Sequence, residues 1–289
     1  MRSRSASLFL MKRASMSNMH DELATLVIKI GYRGAGFSGY AEQEGERTVA
    51  AELRRALETL LRRPCELTCA GRTDAGVSAL SQYVSVPICL AELEGREPRR
   101  FWRSLMAMTP EDISIRSLYT AHEGFSARFD AQGRAYRYRI ATGNAQPVLS
   151  WNHVWWLRSD LDPHAMHEAA QPLVGEHDFK SFCKVSSAQK LIEDGRSTSR
   201  YLAKLNVAQI NEAGEDLIAI DVEGNAFLHN MVRIMVGSLV EVGRGRRDVG
   251  WIEEVLHAHD RRAAGPTAPA QGLVFADVRY PQGILTPWE

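Results

Sequence analysis

A chain of 289 residues with 35 basic and 35 acidic side chains carries no formal net charge. That balance excludes a protein coated with basic residues over its whole surface, but it leaves room for a local basic face, and local field is what steers a polyanion. With 45% hydrophobic and 24% charged residues the composition is that of an ordinary soluble protein. No apolar run approaches the roughly 20 residues of a membrane-crossing helix, and Cys65, Cys69, Cys89 and Cys183 fall at no zinc-ligand or disulfide-scaffold spacing. Reduced thiols, and hence the cytoplasm, are expected.

The first residues, "MRSRSASLFLMKRASMSNMH", are basic and serine-rich, and their apolar core "LFLM" is too short for a secretory signal. Residues 1–21 are read as a disordered extension. "ATLVIKIGY" places Leu26, Ile28 and Ile30 on one strand face. The glycine-rich "GYRGAGFSGY" follows and lacks the G-K-[ST] ending of a phosphate-binding P-loop. Thr48 is placed to cap a helix to about Leu61, with Val49, Leu53, Leu57 and Leu60 on one face and Pro64 as its stop. "CELTCA" and "QYVSVPI" read as strands, "EPRRFWRSLMAM" as a helix ended by Pro110, and "DISIRSLYTA" as a strand.

A similar order recurs after Glu123. "RAYRYRI" is a strand, and a helix begins at the Asp162–Pro163 cap. "YLAKLNVAQI" and "EDLIAIDVEG" form a hairpin, "FLHNMVRIMVGSLVEVG" and "VGWIEEVLHAH" are helices, and "LVFADVRY" is a closing strand. The expected class is α+β: two ferredoxin-like halves, 22–122 and 123–289, sharing a mostly antiparallel sheet with helices packed against it.

The stretch "CAGRTDAGVSAL" sets Asp74 in a turn between Arg72 and Gly76. An Asx-turn or a cap accounts for such an aspartate without any chemistry. Arg233 argues for more. Its helix is apolar nearly all round and should be buried, and a buried guanidinium needs an anion. Asp74 is a candidate partner, the alternative being that Arg233 snorkels to solvent. "ARFDAQGRAYRYRI" interleaves Arg128, Arg134, Arg137 and Arg139 with Tyr136 and Tyr138. Arginines contact phosphates and tyrosines stack on unpaired bases, while a strand with an aromatic core face and a solvated basic face reads equally well. The pairs His164/His167 and His257/His259 lack a third ligand at helical spacing, and Ser78 lacks a G-x-S-x-G elbow.

Five strings, "GRTDAGV", "ARFDA…RAYRYRI", "GEHDFKSFC", "NAFLHNMVRIMVGSLVEVG" and "GPTAPAQGLVF", together resemble the TruA-type tRNA pseudouridine synthases, in that family's order and from about Thr25 to Tyr280. The resemblance implies isomerisation of uridine to pseudouridine in the tRNA anticodon arm, at tRNA positions 38–40, by a homodimer that needs neither metal nor organic cofactor. It implies Asp74 as the catalytic carboxylate and Arg72 as the residue that helps open the RNA. It further implies Tyr136 against the target base, Arg233 paired with Asp74, and Leu273 lining the uracil pocket. Ser78, Gly39, Tyr40, Ala41 and Ala226 depart from the usual family pattern, which bears on RNA-loop contacts. A non-catalytic tRNA-binding module on the same scaffold would have no need of Asp74.

Overall fold

The computed structural model describes residues 22–289, and the expected extension at 1–21 lies outside the described residues. One sheet runs through the described chain, in the strand order β11-β4-β1-β3-β10-β5-β9-β8-β7, with β2 on β3 and β6 on β5. β1 (Leu23–Tyr32) lies between β3 (Ser78–Cys89) and β4 (Ile113–Ala121) and pairs antiparallel with both. An interior strand covered on both faces reads as a continuous apolar run. Accordingly Val27 is as fully buried as Leu26, Ile28 and Ile30 on the other face.

The connections repeat a single pattern. After β1 come α1 (Val49–Leu61), β2 (Thr68–Cys69), β3, α2 (Pro98–Met108) and β4. After β5 (Gly133–Thr142) come β6 (Trp155–Leu157), α3 (Pro163–Ala170), β7 (Gly175–Asp178) and α4 (Val185–Glu193). β8 (Ser199–Glu212), β9 (Glu215–Gly224), α5 (Met231–Gly243), α6 (Trp251–Ala258) and β10 (Leu273–Arg279) complete that set. Spatially β4-β1-β3-β2 and β10-β5-β9-β8 both run fourth, first, third, second. That is the order of the split βαβ unit expected from the sequence. β10 joins the two sets, antiparallel to β5 and parallel to β3 through Val274 opposite Ser78 and Phe275 opposite Ala79. The short β11 (Thr286–Pro287) returns to pair with β4.

Local chemistry sets the helix ends. The Thr48 hydroxyl accepts from Ala51 N at the start of α1, and Asp162 accepts from His164 N and Ala165 N at the start of α3. α1 stops at Arg62, which takes a left-handed conformation (φ 59°), so the helix has already ended before Pro64. α5 is buried almost all round, as its composition requires. It lies against the 265–268 segment so closely that a Cβ on Gly237 would sit 1.8 Å from Pro266 O. The Ser238 hydroxyl accepts from Gly265 N at 2.9 Å, and Ala268 N donates to Arg233 O at 3.0 Å, which fixes that segment on the helix. Among the described residues no helix is long and apolar enough to cross a membrane.

Candidate active site

The loop from Ala70 to Val77, between β2 and β3, is held from both sides. Gln82 on β3 brackets Gly71 with two hydrogen bonds, donating to its carbonyl at 2.6 Å. Tyr40 N donates to Thr73 O at 3.1 Å, and the Thr73 hydroxyl lies 2.7 Å from that of Tyr32. Ser78 accepts from Gly34 N at 3.0 Å, so this departure from the family pattern fastens the early glycine-rich loop to the start of β3. Gly76 adopts φ +80°, open to glycine without strain, and Val77 N closes the turn on Asp74 O at 3.1 Å.

The turn aims the Asp74 carboxylate at α5. Oδ2 lies 3.3 Å from Arg233 Nη1, and Oδ1 lies 3.5 Å from His229 Nε2. The same guanidinium donates through Nε to Ala268 O at 2.8 Å and through Nη1 to Asn230 Oδ1 at 3.1 Å. With its side chain only 18% exposed, Arg233 does not snorkel away; three fixed acceptors orient it. His229 is in turn set by Ser187 on α4, whose hydroxyl lies 2.9 Å from Nδ1. The helix expected from Phe227 begins only at Met231, after Asn230 takes a left-handed φ of 63°, so His229 stands in the turn before α5; the sequence marks it only by the string "HNMVR".

Tyr136 lies beneath the cleft, with Phe227 and Phe275 each at 4.9 Å between ring centroids. Burial pushes its phenol well above the ordinary range, so it stays neutral. Leu273, at the head of β10, is buried and lines the same cleft, and Arg72 stands exposed at its edge. Tyr40, Ala41 and Ala226 line it too. Arg72, Tyr136, Arg233 and Leu273 thus share one site with Asp74, though they are spread over about 200 residues of sequence.

The arginine-rich strand divides by face. Tyr138 is fully buried and donates to Pro269 O at 2.8 Å. Arg137 makes a two-pronged pair with Asp221 at 2.6 and 2.9 Å, and Arg139 pairs with Glu212 at 2.8 Å. Those two charges pair with β9 and, beyond it, with the end of β8, and lie outside the cleft lining. Arg134 spends its guanidinium on the carbonyls of Ala70, Arg128, Ala131 and Asn225, tying the base of the Asp74 loop to the second half.

The cleft has a volume of about 1340 Å³, above the roughly 300–1,000 Å³ of small-molecule sites. It is lined by Arg54, Arg72, Arg128, Arg134, Arg196, Arg200 and Arg233 against the carboxylates of Glu42 and Asp74. A chain without net charge therefore concentrates positive field in one groove. The described residues hold no group of three His, Cys, Asp or Glu side chains placed for a metal ion. Of the two carboxylates in the groove, Glu42 is taken up by Arg54 at 2.7 Å, and Asp74 is clasped by Arg233.

An open, arginine-lined groove with one oriented carboxylate and an aromatic floor suits an enzyme that works on a nucleotide within a polyanion. The tRNA pseudouridine synthase family model matches residues 169–281. A "tRNA pseudouridine synthase A" of Stenotrophomonas maltophilia is 38% identical over 265 residues, 90% of this chain and 96% of its own. Proteins of the same name from Xanthomonas euvesicatoria and Pseudoalteromonas atlantica are 40% and 37% identical, over 90% and 91% of this chain and 96% and 94% of theirs. The chain belongs to the tRNA pseudouridine synthase A family of RNA-modifying isomerases.

Proposed function

We propose that the protein isomerises uridine to pseudouridine in the anticodon arm of tRNA, at tRNA positions 38–40, with Asp74 as the catalytic carboxylate. The observation that carries this reading is the 3.3 Å approach of Arg233 to Asp74 inside the arginine-lined cleft, across 159 residues of sequence. The reaction breaks the N1–C1′ bond of uridine, turns the freed base, joins C5 to C1′ and moves the C5 proton to solvent while N1 gains one. Nothing is oxidised and no atom is lost, so no cofactor is called for. An ionised carboxylate supplies a nucleophile or a base for this sequence. Arg233 on one oxygen and His229 beside the other fix the direction in which the Asp74 carboxylate faces the cleft.

The target base must leave its stack, which costs a few kcal/mol. Arg72 at the cleft edge takes up the space it vacates, and Tyr136 and Leu273 form the floor and wall that receive it. The halves 22–122 and 123–289 act as two domains, the first carrying the Asp74 loop and the second completing the cleft. A cytoplasmic homodimer with tRNA as its substrate completes the reading.

Replacing Asp74 by Asn or Ala tests it. Pseudouridine formation on an unmodified tRNA transcript falls below detection while tRNA binding persists. Turnover at the wild-type rate in either variant would remove Asp74 from the chemistry.

A further inference from the structure

The turn from α4 into β8 carries two arginines that the reading above leaves without a task. Arg196 and Arg200 both line the cleft, as do Leu191 and Ser187 on α4. Arg196 N donates to Leu191 O at 2.8 Å, which folds the turn back against the helix. Ser187 and Leu191 are one helical turn apart, about 6 Å along the axis. Ser187 touches His229, and His229 touches Asp74. The two arginines therefore extend the wall that begins at the carboxylate.

Neither guanidinium has a carboxylate partner among the described residues. Arg200 donates through Nη1 to Ser197 O at 2.9 Å and Ser199 O at 2.6 Å. Its Nε is buried with no hydrogen-bond partner. The adjacent strand β7 sets His177 opposite Arg200 and Asp178 opposite Ser199. Asp178 is already engaged by the Thr198 hydroxyl at 2.5 Å, by Lys180 N at 3.0 Å and by His259 at 3.5 Å. Burial, and after it the like charge of Arg196, hold the Arg200 guanidinium below its ordinary range. A half-buried cation beside a second cation, with its donors partly unspent, is costly in the free protein. An anion held between the two guanidinium groups offsets their like charge, and an RNA phosphodiester is such an anion.

We propose that Arg196 and Arg200 form a clamp for a backbone phosphodiester of the bound RNA, on the strand that carries the target nucleotide. This rests on reading the cleft as the seat of tRNA and is independent of whether Asp74 performs the chemistry. The clamp holds the strand while the target nucleotide is turned out, so the cost of extrusion is borne by contacts away from the base.

The test is direct binding of an unmodified tRNA transcript across a series of salt concentrations, for the wild type and for Arg196→Gln/Arg200→Gln. Each lost phosphate contact flattens the slope of log affinity against log salt by about 0.7–0.9. Affinity at moderate salt falls about tenfold or more, the usual scale for a charge-assisted hydrogen bond. KM for the transcript rises with the dissociation constant, and melting shows the variant folded. A folded double variant with wild-type affinity and slope overturns the proposal. If the double variant does not fold, Arg196→Gln alone decides, because that side chain is exposed. It should show a reduced slope, and an unchanged slope overturns the clamp. Affinity is read without turnover, so a failure of the Asp74 assignment appears separately, as activity retained in Asp74→Asn.

Discussion

Arg233 shows how one side chain can be placed by three acceptors. Its Nε and Nη1 donate in different directions, to Ala268 O, Asn230 Oδ1 and Asp74 Oδ2. Only a rigid fork reaches such divergent acceptors together; an ammonium is a point donor on a flexible stem. Arg233→Lys keeps the charge and loses the geometry. We expect kcat/KM to fall on the order of 10²-fold, the scale of an ångström's misplacement at a reacting group, with the melting temperature shifted by only a few degrees. A variant as active as the wild type would show that positive charge alone suffices beside Asp74. This pairing was readable from sequence because an arginine in an otherwise apolar helix must meet an anion. His229 was not, because the pattern extends the helix back to Phe227 and a histidine at its polar start carries no such constraint, whereas the helix begins at Met231 and leaves His229 in the turn facing Asp74. For Arg137 and Arg139 two readings stood open, phosphate contact or a solvated face, because one strand's pattern shows which face its cations take but not that Asp221 on β9 and Glu212 on β8 meet them.

At the scale of elements, α5 matters through its backbone. Gly237 and Gly265 let the helix and the 265–268 segment meet with carbonyl and Cα in contact, and Arg233 sits one turn before Gly237 on the same face. Gly237→Ala would place its methyl carbon 1.8 Å from Pro266 O, which is backbone and cannot rotate aside. The segment must move, taking with it Ala268 O, the acceptor that orients Arg233. A loss of about 3 kcal/mol or more in stability is expected, together with reduced turnover; urea unfolding and a pseudouridine assay measure the two. An unchanged midpoint would mean the segment can retreat freely. The long strands and the helices of both split βαβ units were legible because each is periodic enough to declare its buried face, and the two-residue β2 was legible only from "CELTCA" leading into the Asp74 turn. β6, β7 and β11 were not, having two to four residues each. α4 escaped because it buries only Ala188 and starts at Lys184 without a side-chain cap.

At the scale of the whole molecule, the last long strand holds the two halves together. β10 is the common neighbour of β3 and β5, and it brings Leu273 to the cleft and Phe275 to the core beneath it. Phe275 is fully buried, packs on Tyr136 at 4.9 Å between ring centroids, and lies 3.3 Å from where a Cβ on Gly71 would be. One ring thus supports the Asp74 loop from one half and the cleft floor from the other. Neither half can lose its order without exposing the strand that completes its neighbour, so the described chain should unfold in one cooperative transition. Phe275→Ala removes the shared ring and should cost roughly 3–5 kcal/mol, lowering the melting temperature on the order of 10 °C. Tryptophan fluorescence can follow this, with Trp102 and Trp288 beside the first set of strands and Trp155 and Trp251 beside the second. Single-tryptophan versions that report from the two sides should melt together, in the wild type and in Phe275→Ala. Two separated transitions would mean that the halves are held by the chain connection and not by the sheet, and the cleft between them would then have no fixed geometry on which to align Arg233 with Asp74.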